Sequence, residues 1–304
     1  MPTMQTGSRI SFRRILFPTD FSSASEAALP FAVATARSYG AKIYALHVFT
    51  PAAYTYATPE ITAAAIEAGQ NNAKAEMQRV ETELVGLPEE TVIVQGISVW
   101  ECAAQVIKQH SIDLIVLGTH GRTGAEKLLL GSVAEEIFRR SHVPVLTIGP
   151  GVRSGTPNGG RVTRVFFATD FTPASAAAAA YAVSLADEHR ARLVLLHVMR
   201  NSEARSDDKR RPELSVAEAI QRLYDCVGKN AEINGPPEVI VEFGDPAERV
   251  VAAARQRRAD LIVLGVREGE GRIGAATHLG RGTAHKVVAH APCPVLTVRH
   301  SGEV

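Results

Sequence analysis

The sequence predicts an α/β fold: two tandem Rossmann-like domains, each doubly wound around a five-stranded parallel sheet. Three observations predict it. The chain repeats itself at a shift of 150 residues, short apolar segments alternate with longer helix-like ones, and glycines cluster after the fourth predicted strand of the first copy. The length of 304 residues, with 45% hydrophobic residues, allows each copy to bury a core of its own.

The repeat is clearest at the start of each copy. Residues 14–48 align without gaps with residues 164–198, and 16 of the 35 positions are identical. The segment DLIVLG occurs at residues 113–118 and again, unchanged, at residues 260–265. This degree of self-similarity indicates a duplicated domain.

The repeat also predicts where the domains end. We expect a first domain over residues 1–149, a linker over residues 150–160 and a second domain over residues 161–304. The segment between the copies is rich in Gly, Pro and Ser and lacks apolar periodicity, which is typical of a linker.

Each copy alternates short β-branched or leucine-rich segments with longer helix-like ones, the pattern of a parallel sheet covered on both faces. In the first copy the predicted strands are 15–17, 43–48, 91–94, 114–117 and 143–148, and the predicted helices are 23–39, 61–84, 99–110 and 133–140. In the second copy the predicted strands are 165–167, 193–198, 239–243, 261–264 and 295–298.

Composition excludes several classes of function. The formal net charge of +1 argues against nucleic acid or an anionic membrane as a bulk electrostatic partner. Three scattered cysteines, Cys102, Cys226 and Cys293, are too few for a disulfide framework or a structural zinc site. Without an apolar signal or membrane-length segment, the sequence predicts a cytoplasmic protein.

In a doubly wound sheet, ligands bind beyond the carboxyl ends of the strands. The first predicted strand ends in Pro18, Thr19 and Asp20, where Asp20 either caps the next helix or accepts hydrogen bonds from a ligand. The second ends in His47 and Val48, and a histidine on a strand is more often a core residue than a ligand.

The fourth strand of the first copy carries the most informative loop. Leu117 and Gly118 lead into a segment that includes His120, Gly121 and Arg122, and Gly131, Ser132 and Val133 open the last helix. Glycines permit close backbone approach, and a helix N-terminus supplies N–H donors and a positive dipole end. These features suit a phosphate chain, whereas a glycine-rich loop with an ordinary serine cap is the alternative.

The spacing G-x2-G-x9-G-(S/T), filled by Gly118, Gly121, Gly131 and Ser132, resembles the universal stress protein family. The resemblance extends to PTD at residues 18–20, HV at residues 47–48 and VPVLTI at residues 143–148, and it covers nearly all of both copies. It implies a nucleotide-sensing stress-response or signalling module that binds ATP in the first half, with Mg²⁺ or Mn²⁺ accompanying the nucleotide. No protein side chain is assigned to the metal.

The resemblance also implies how family domains pair. Their last strands associate, so residues 143–148 and 295–298 are predicted to join the two halves as an intramolecular pseudo-dimer, and a homodimer of the whole chain stays open. The signalling partner is not identified by the sequence.

The second copy departs from this pattern. Its counterparts of the site residues are Asp170, Val198, Gly265, Gly282 and Thr283. Glu268 stands where the second glycine is expected, the loop is three residues longer, and counting back from Pro294 places Arg281 at the third glycine. Because a carboxylate repels phosphate, we expect weak or no ATP binding there.

Two alternatives remain for the function. A slow ATPase would need a group that orients water toward the γ-phosphate. His120 and Glu126 lie near the loop in sequence, but neither stands at a spacing that identifies it as that group. An interaction scaffold that binds another ligand would use the second copy mainly as structure. No catalytic residue is assigned.

Overall fold

The computed structural model describes residues 10–50, 59–119, 130–152, 161–200, 214–228, 233–266 and 282–299. These residues form two compact units, one containing residues 11–148 and the other containing residues 149–152 and 161–299. The predicted domain boundaries at 149/150 and 160/161 stay predictions.

The first half alternates strands and helices throughout. Its elements are β1 (Arg14–Pro18), α1 (Ser23–Tyr39), β2 (Lys42–Phe49), α2 (Pro59–Glu83), β3 (Glu89–Gln95), α3 (Val99–His110), β4 (Leu114–Gly118), α4 (Ser132–Arg140) and β5 (Val145–Ile148). Its sheet has the order β3-β2-β1-β4-β5, and the pairs are parallel.

The second half repeats the plan. Its elements are β6 (Arg164–Thr169), α5 (Pro173–Glu188), β7 (Arg192–Met199), α6 (Val216–Asp225), β8 (Glu238–Phe243), α7 (Pro246–Gln256), β9 (Leu261–Val266), α8 (Thr283–His290) and β10 (Val295–Arg299). Within this half the strand order is β10-β9-β6-β7-β8, again with parallel pairs. The predicted fold class is confirmed in both halves.

The cores lie on the central strands, which explains why those segments are apolar on both faces. Ile15, Leu16 and Phe17 of β1 are almost fully buried, as are their counterparts Phe166 and Phe167 in β6. Parallel strands covered by helices on both sides require this continuous apolar sequence. Among the described residues, no helix is both long and apolar enough to cross a membrane.

Strand order reverses at one point in each sheet. The chain runs from β1 to β2 and β3 on one side, then crosses to place β4 on the other side of β1. In the second half, β9 crosses to the other side of β6 in the same way. A crevice forms at the carboxyl ends of the two strands that flank such a reversal.

Candidate functional site

A cavity of about 200 Å³ opens at the strand reversal of the first half. It lies at the carboxyl ends of β1, β2 and β4 and against the start of α4. Its lining comprises Pro18, Thr19, Asp20, Ser25, Leu46, His47, Val48, Val99, Leu117, Gly118, Gly131, Ser132, Val133, Ala134 and Ile137.

Nine of the twelve residues predicted as a first-half nucleotide site line this cavity. They are Pro18, Thr19, Asp20, Val48, Leu117, Gly118, Gly131, Ser132 and Val133. The other three, His120, Gly121 and Arg122, lie outside the described residues, as does Glu126. Segments separated by about a hundred residues in sequence therefore meet around one cavity.

Six lining residues were not predicted as site residues: Ser25, Leu46, His47, Val99, Ala134 and Ile137. Signals for two of them were present in the sequence. Ser25 lies five residues after Asp20, a spacing that the second copy repeats with Ser175 and Asp170. Val99 begins α3, and the loop before it also lies at the carboxyl edge of a parallel sheet.

Asp20 organises the turn between β1 and α1. Its Oδ1 accepts hydrogen bonds from Ser22 N–H (3.1 Å), Ser22 Oγ (2.6 Å) and Ser25 Oγ (3.0 Å). The helix cap is Ser22, whose side chain accepts from Ser25 N–H. The structural alternative in which Asp20 is itself the cap is therefore wrong: the carboxylate holds the capping serine from two residues upstream.

His47 connects the ends of β1 and β2. Its Nδ1 lies 2.9 Å from the Thr19 carbonyl oxygen, so this nitrogen carries the hydrogen and donates it. The ring stacks on Phe21 at 4.4 Å between centroids, and Phe21 has a left-handed backbone with φ of 59°. His47 is buried and fixes a strained turn, which agrees with the core interpretation of this histidine.

Gly118 serves packing rather than an unusual backbone conformation. A Cβ at this position would lie 2.2 Å from the Ala24 carbonyl oxygen, so a side chain would collide with the backbone of α1. Gly131 has a φ of −57°, which any residue adopts. The backbone conformation therefore does not require glycine at 131, and the need for glycine at 118 comes from helix packing.

The start of α4 presents N–H groups that no described side chain caps. Gly131 is the N-cap residue, Ser132 is the first helical residue, and the first helical bond runs from Glu135 N–H to the Gly131 carbonyl (2.8 Å). Polar side chains cap other helices, namely α1, α3, α5, α6 and α7. The uncapped donors and the positive dipole end therefore face a cavity, which suits an anionic group.

Charge is distributed unevenly around the cavity. Among its described lining residues, Asp20 is the one carboxylate and there is no lysine or arginine. An anionic group would be favoured at the α4 end and disfavoured beside Asp20. Within the described ranges, no three His, Cys, Asp or Glu side chains group closely enough to hold a metal ion.

The second half repeats the framework of this site. Asp170 Oδ1 accepts from Thr172 N–H (3.1 Å) and from Ser175 Oγ (2.7 Å), and His197 Nδ1 lies 2.8 Å from the Thr169 carbonyl oxygen. A Cβ at Gly265 would lie 2.4 Å from the backbone of Ala174. These residues keep the roles that their counterparts have in the first half.

The remaining second-half candidates occupy the expected places. Val198 lies near the end of β7, Gly282 is the N-cap of α8, and Thr283 is its first residue. No described side chain caps α8, and the backbone angles of Gly282 (φ −56°, ψ 160°) nearly equal those of Gly131 (φ −57°, ψ 151°).

This geometry corrects one sequence count. Counting from Pro294 puts Arg281 at the position of the third glycine, but the N-cap is Gly282. The two helices end at equivalent residues, and α8 is one residue shorter than α4, with 8 residues against 9. The one-residue difference in position therefore lies at the start of α8. Arg281 and Glu268 lie outside the described residues.

In the second half, an arginine side chain lies close to the aromatic ring that packs on the framework histidine. The Arg222 guanidinium carbon from α6 lies 5.8 Å from the ring centroid of Phe171, the residue that packs on His197. Burial lowers the pKa of His197, and the positive charge of Arg222 adds to that effect.

Comparisons with known proteins agree with this architecture. A universal stress protein from Mycolicibacterium smegmatis is 25% identical over 295 residues, covering 94% of this chain and 96% of that protein. Universal stress protein MJ0531 from Methanocaldococcus jannaschii is 32% identical over 142 residues, covering 45% of this chain and 82% of that protein.

The crystal structure of a universal stress protein from Archaeoglobus fulgidus has the same fold. It superposes with a TM-score of 0.70 at 22% identity, covering 94% of this chain and 98% of that one. The universal stress protein family model matches twice, at residues 11–149 and 161–299. The chain therefore belongs to the universal stress protein family and contains two tandem copies of the family's domain.

Proposed function

We propose that the first half binds ATP and that the chain acts as a nucleotide-dependent stress-response or signalling module. The observation that carries this proposal is the cavity at the first strand reversal, where the uncapped start of α4 meets the ends of β1, β2 and β4. The nine predicted residues that line it come from each of these elements. Membership of the universal stress protein family, whose resemblance implied ATP binding from the sequence, supports the same assignment.

The charge distribution orients the nucleotide. The family resemblance implies that the nucleoside lies against Asp20 and Val48, where the lining is mostly apolar and one carboxylate can accept hydrogen bonds. The phosphates would lie toward Gly118 and the N–H groups that follow Gly131, away from Asp20, since like charges repel. The triphosphate is thereby directed toward the start of α4, and the sequence motif assigns Gly121 and Arg122 to the same phosphates.

Compensation of the phosphate charge comes from three sources. The described lining has no cationic side chain, so the α4 dipole, Arg122 and a divalent cation bound to the phosphates would share this task. Mg²⁺ commonly binds through substrate phosphates and water rather than through a protein cage, so no protein side chain is assigned to it here.

A pair of matched substitutions tests the assignment. Gly131→Asp places a capping carboxylate at the start of α4, which suits the helix but repels phosphate. Titration calorimetry with ATP and Mg²⁺ should show at least about a tenfold loss of affinity, with folding stability unchanged or slightly higher. Gly282→Asp makes the same change at α8 and should leave ATP affinity unchanged; equal binding by both variants would contradict the assignment.

Two further measurements separate the alternatives. Mass spectrometry of the purified protein should find bound adenine nucleotide, whereas a scaffold that binds another ligand would carry none. A nucleotide sensor should hold one equivalent of bound ATP intact for hours, whereas a slow ATPase would release ADP. Two titratable side chains stand in the described lining: Asp20, whose Oδ1 is engaged by Ser22 and Ser25, and His47, whose Nδ1 donates to the Thr19 carbonyl.

A further inference from the structure

A second cavity, of about 560 Å³, lies at the opposite edge of the second-half sheet. It opens at the amino-terminal ends of β6, β9 and β10, so the full length of the strands separates it from Asp170 and Gly265. Its lining comes from the starts of these strands and from the end of α7.

Three arginines give this cavity a positive rim. Arg164 comes from β6, Arg255 from the last turn of α7 and Arg258 from the turn that follows it. Within the described part of the chain, none of the three forms an ion pair with a carboxylate. Arg257, by contrast, lies between Arg255 and Arg258 in sequence, pairs with Glu238 at 2.8 Å and does not line the cavity.

The one carboxylate in the lining is already engaged by the chain. Asp260 Oδ2 accepts hydrogen bonds from Thr163 N–H (2.8 Å), Thr163 Oγ1 (2.6 Å) and Arg164 N–H (3.0 Å). Asp113 makes equivalent bonds to the N–H groups of Arg13 and Arg14 in the first half, so this aspartate has a structural role in both. The three guanidinium groups therefore outnumber the available negative charge.

Ordinary helix chemistry explains only part of this arrangement. Cations near a helix C-terminus interact favourably with its dipole, which accounts for Arg255. Arg164, which belongs to a strand, donates its Nη1 to the C-cap carbonyl of Arg257 (3.3 Å), and Arg258 has a left-handed backbone with φ of 52°, a conformation that disfavours residues with a Cβ. Convergence of three arginines from three elements on one cavity points to an anionic group.

The floor of the cavity is apolar. Ala254, Ala259 and Cys293 are buried there, next to two prolines. Burial raises the pKa of the Cys293 thiol far above its ordinary range, so this side chain is neutral. An inorganic anion would leave this surface uncovered, whereas an organic one would cover it.

We propose that this cavity binds a small organic anion, with its phosphate or carboxylate group on the arginine rim and its apolar body on the floor. Guanidinium groups bind both kinds of oxyanion with paired N–H donors. The ligand would bind at the edge of the second half that lies away from the nucleotide framework, independently of ATP in the first half.

The first half contains a natural comparison for this site. At the positions of Arg255, Arg258 and Cys293 it has Lys108, Ser111 and Val143. Ser111 also has a left-handed backbone, with φ of 47°, so Arg258→Ser introduces a residue that this turn accepts. The substitution removes charge without a new demand on the fold.

The test uses the full chain carrying Gly131→Asp, which suppresses phosphate binding at the first-half cavity. Phenyl phosphate and benzoate are titrated against it by calorimetry and by amide NMR, with benzylamine as a ligand of similar size and opposite charge. We expect at least one of the two anions to shift the amide signals of Thr163, Ala259 and Cys293, and inorganic phosphate to bind at least fivefold more weakly than phenyl phosphate. The stronger of the two anions identifies the preferred head group.

Substitutions at the rim then decide the assignment. Arg255→Ser combined with Arg258→Ser should weaken anion binding at least tenfold, whereas Arg14→Ser in the first half should have no effect. Circular dichroism and a thermal melt establish that the variants are folded. The proposal is overturned if neither anion binds, if benzylamine binds equally well, or if the folded double variant keeps the affinity.

Discussion

The two halves of this universal stress protein keep the same polar framework but differ in the sequence and length of the segment that follows the fourth strand. Asp20 and Asp170 hold equivalent Ser or Thr caps, and His47 and His197 donate to equivalent carbonyl oxygens. Each residue has a structural role that does not depend on a ligand. Retention of these motif residues in the second half is therefore expected even if that half binds no nucleotide.

The glycines of the two halves also have equivalent structural roles. Gly118 and Gly265 both lie against the backbone at the start of the first helix of their half, α1 or α5, so both halves need glycine there for packing. The N-cap glycines of α4 and α8 also have nearly identical backbone angles. The proposed difference in ATP binding therefore rests on the loop residues, Gly121 against Glu268, more than on any described part of the framework.

The largest effect is expected from a side chain at the packing glycines. Gly118→Ala and Gly265→Ala should each destabilise their half by about 3 kcal/mol, because the added Cβ meets helix backbone that cannot move aside. Urea unfolding measures the loss. Gly86→Ala is the control: its Cβ meets nothing within 4 Å, so only its left-handed φ of 86° contributes, about 1 kcal/mol. Equal losses at 86, 118 and 265 would refute the packing role.

An exchange of loop residues comes next in size. Gly121→Glu should lower ATP affinity by roughly 100-fold, because a carboxylate would face the phosphates. The reciprocal Glu268→Gly should not create a site of comparable affinity, since the second loop remains three residues longer. Titration calorimetry measures both. Tight binding gained by Glu268→Gly would show that a single charge, rather than the loop, separates the halves.

Neutralising the two aspartates should have a smaller and symmetric effect on stability. Asp20→Asn and Asp170→Asn keep an acceptor oxygen but lose the charge that strengthens the bonds to the caps, which costs about 1 kcal/mol each. Urea unfolding should show similar losses in the two variants, while only Asp20→Asn changes ATP affinity. A loss confined to Asp20→Asn would mean that the shared framework is not equally important in the two halves.

The smallest effect concerns pH. Burial lowers the pKa of His197 and of His189 below the ordinary value of 6.5, so between that value and the folded pKa the unfolded chain binds more protons. Stability should fall as the pH decreases from about 6.5 through the folded pKa values. His197→Asn keeps a donor for the Thr169 carbonyl and should remove part of this dependence, leaving the part due to His189. Urea unfolding at pH 7.5 and pH 5.5 compares them; an unchanged slope in the variant would contradict the role of His197.

Much of the fold could be predicted because its signals are local. Alternating apolar segments gave the strands and helices, and two helices, Ser23–Tyr39 and Val99–His110, were predicted with the bounds that the structure has. The part of the cavity formed by polar and glycine residues at the strand ends could be predicted from the sequence. Leu46 and Ile137 line it through tertiary packing, which no sequence spacing reveals.

Other features could not be predicted from the sequence, because they depend on the positions of individual atoms rather than on the spacing of residues. Asp20 precedes a helix, but only hydrogen-bond geometry shows that Ser22 is the cap. Gly118 looks like a flexible loop residue until its distance to Ala24 is known. The arginine-rimmed cavity joins Arg164 to residues about ninety positions away, and no motif connects them in sequence.

The stoichiometry of ATP binding tests the central claim most directly. Equilibrium dialysis of the full chain with labelled ATP and Mg²⁺ should give one ATP per chain, abolished by Gly131→Asp and unchanged by Gly282→Asp. Two ATP molecules per chain, or one that survives Gly131→Asp and is lost with Gly282→Asp, would contradict the assignment of the nucleotide site to the first half.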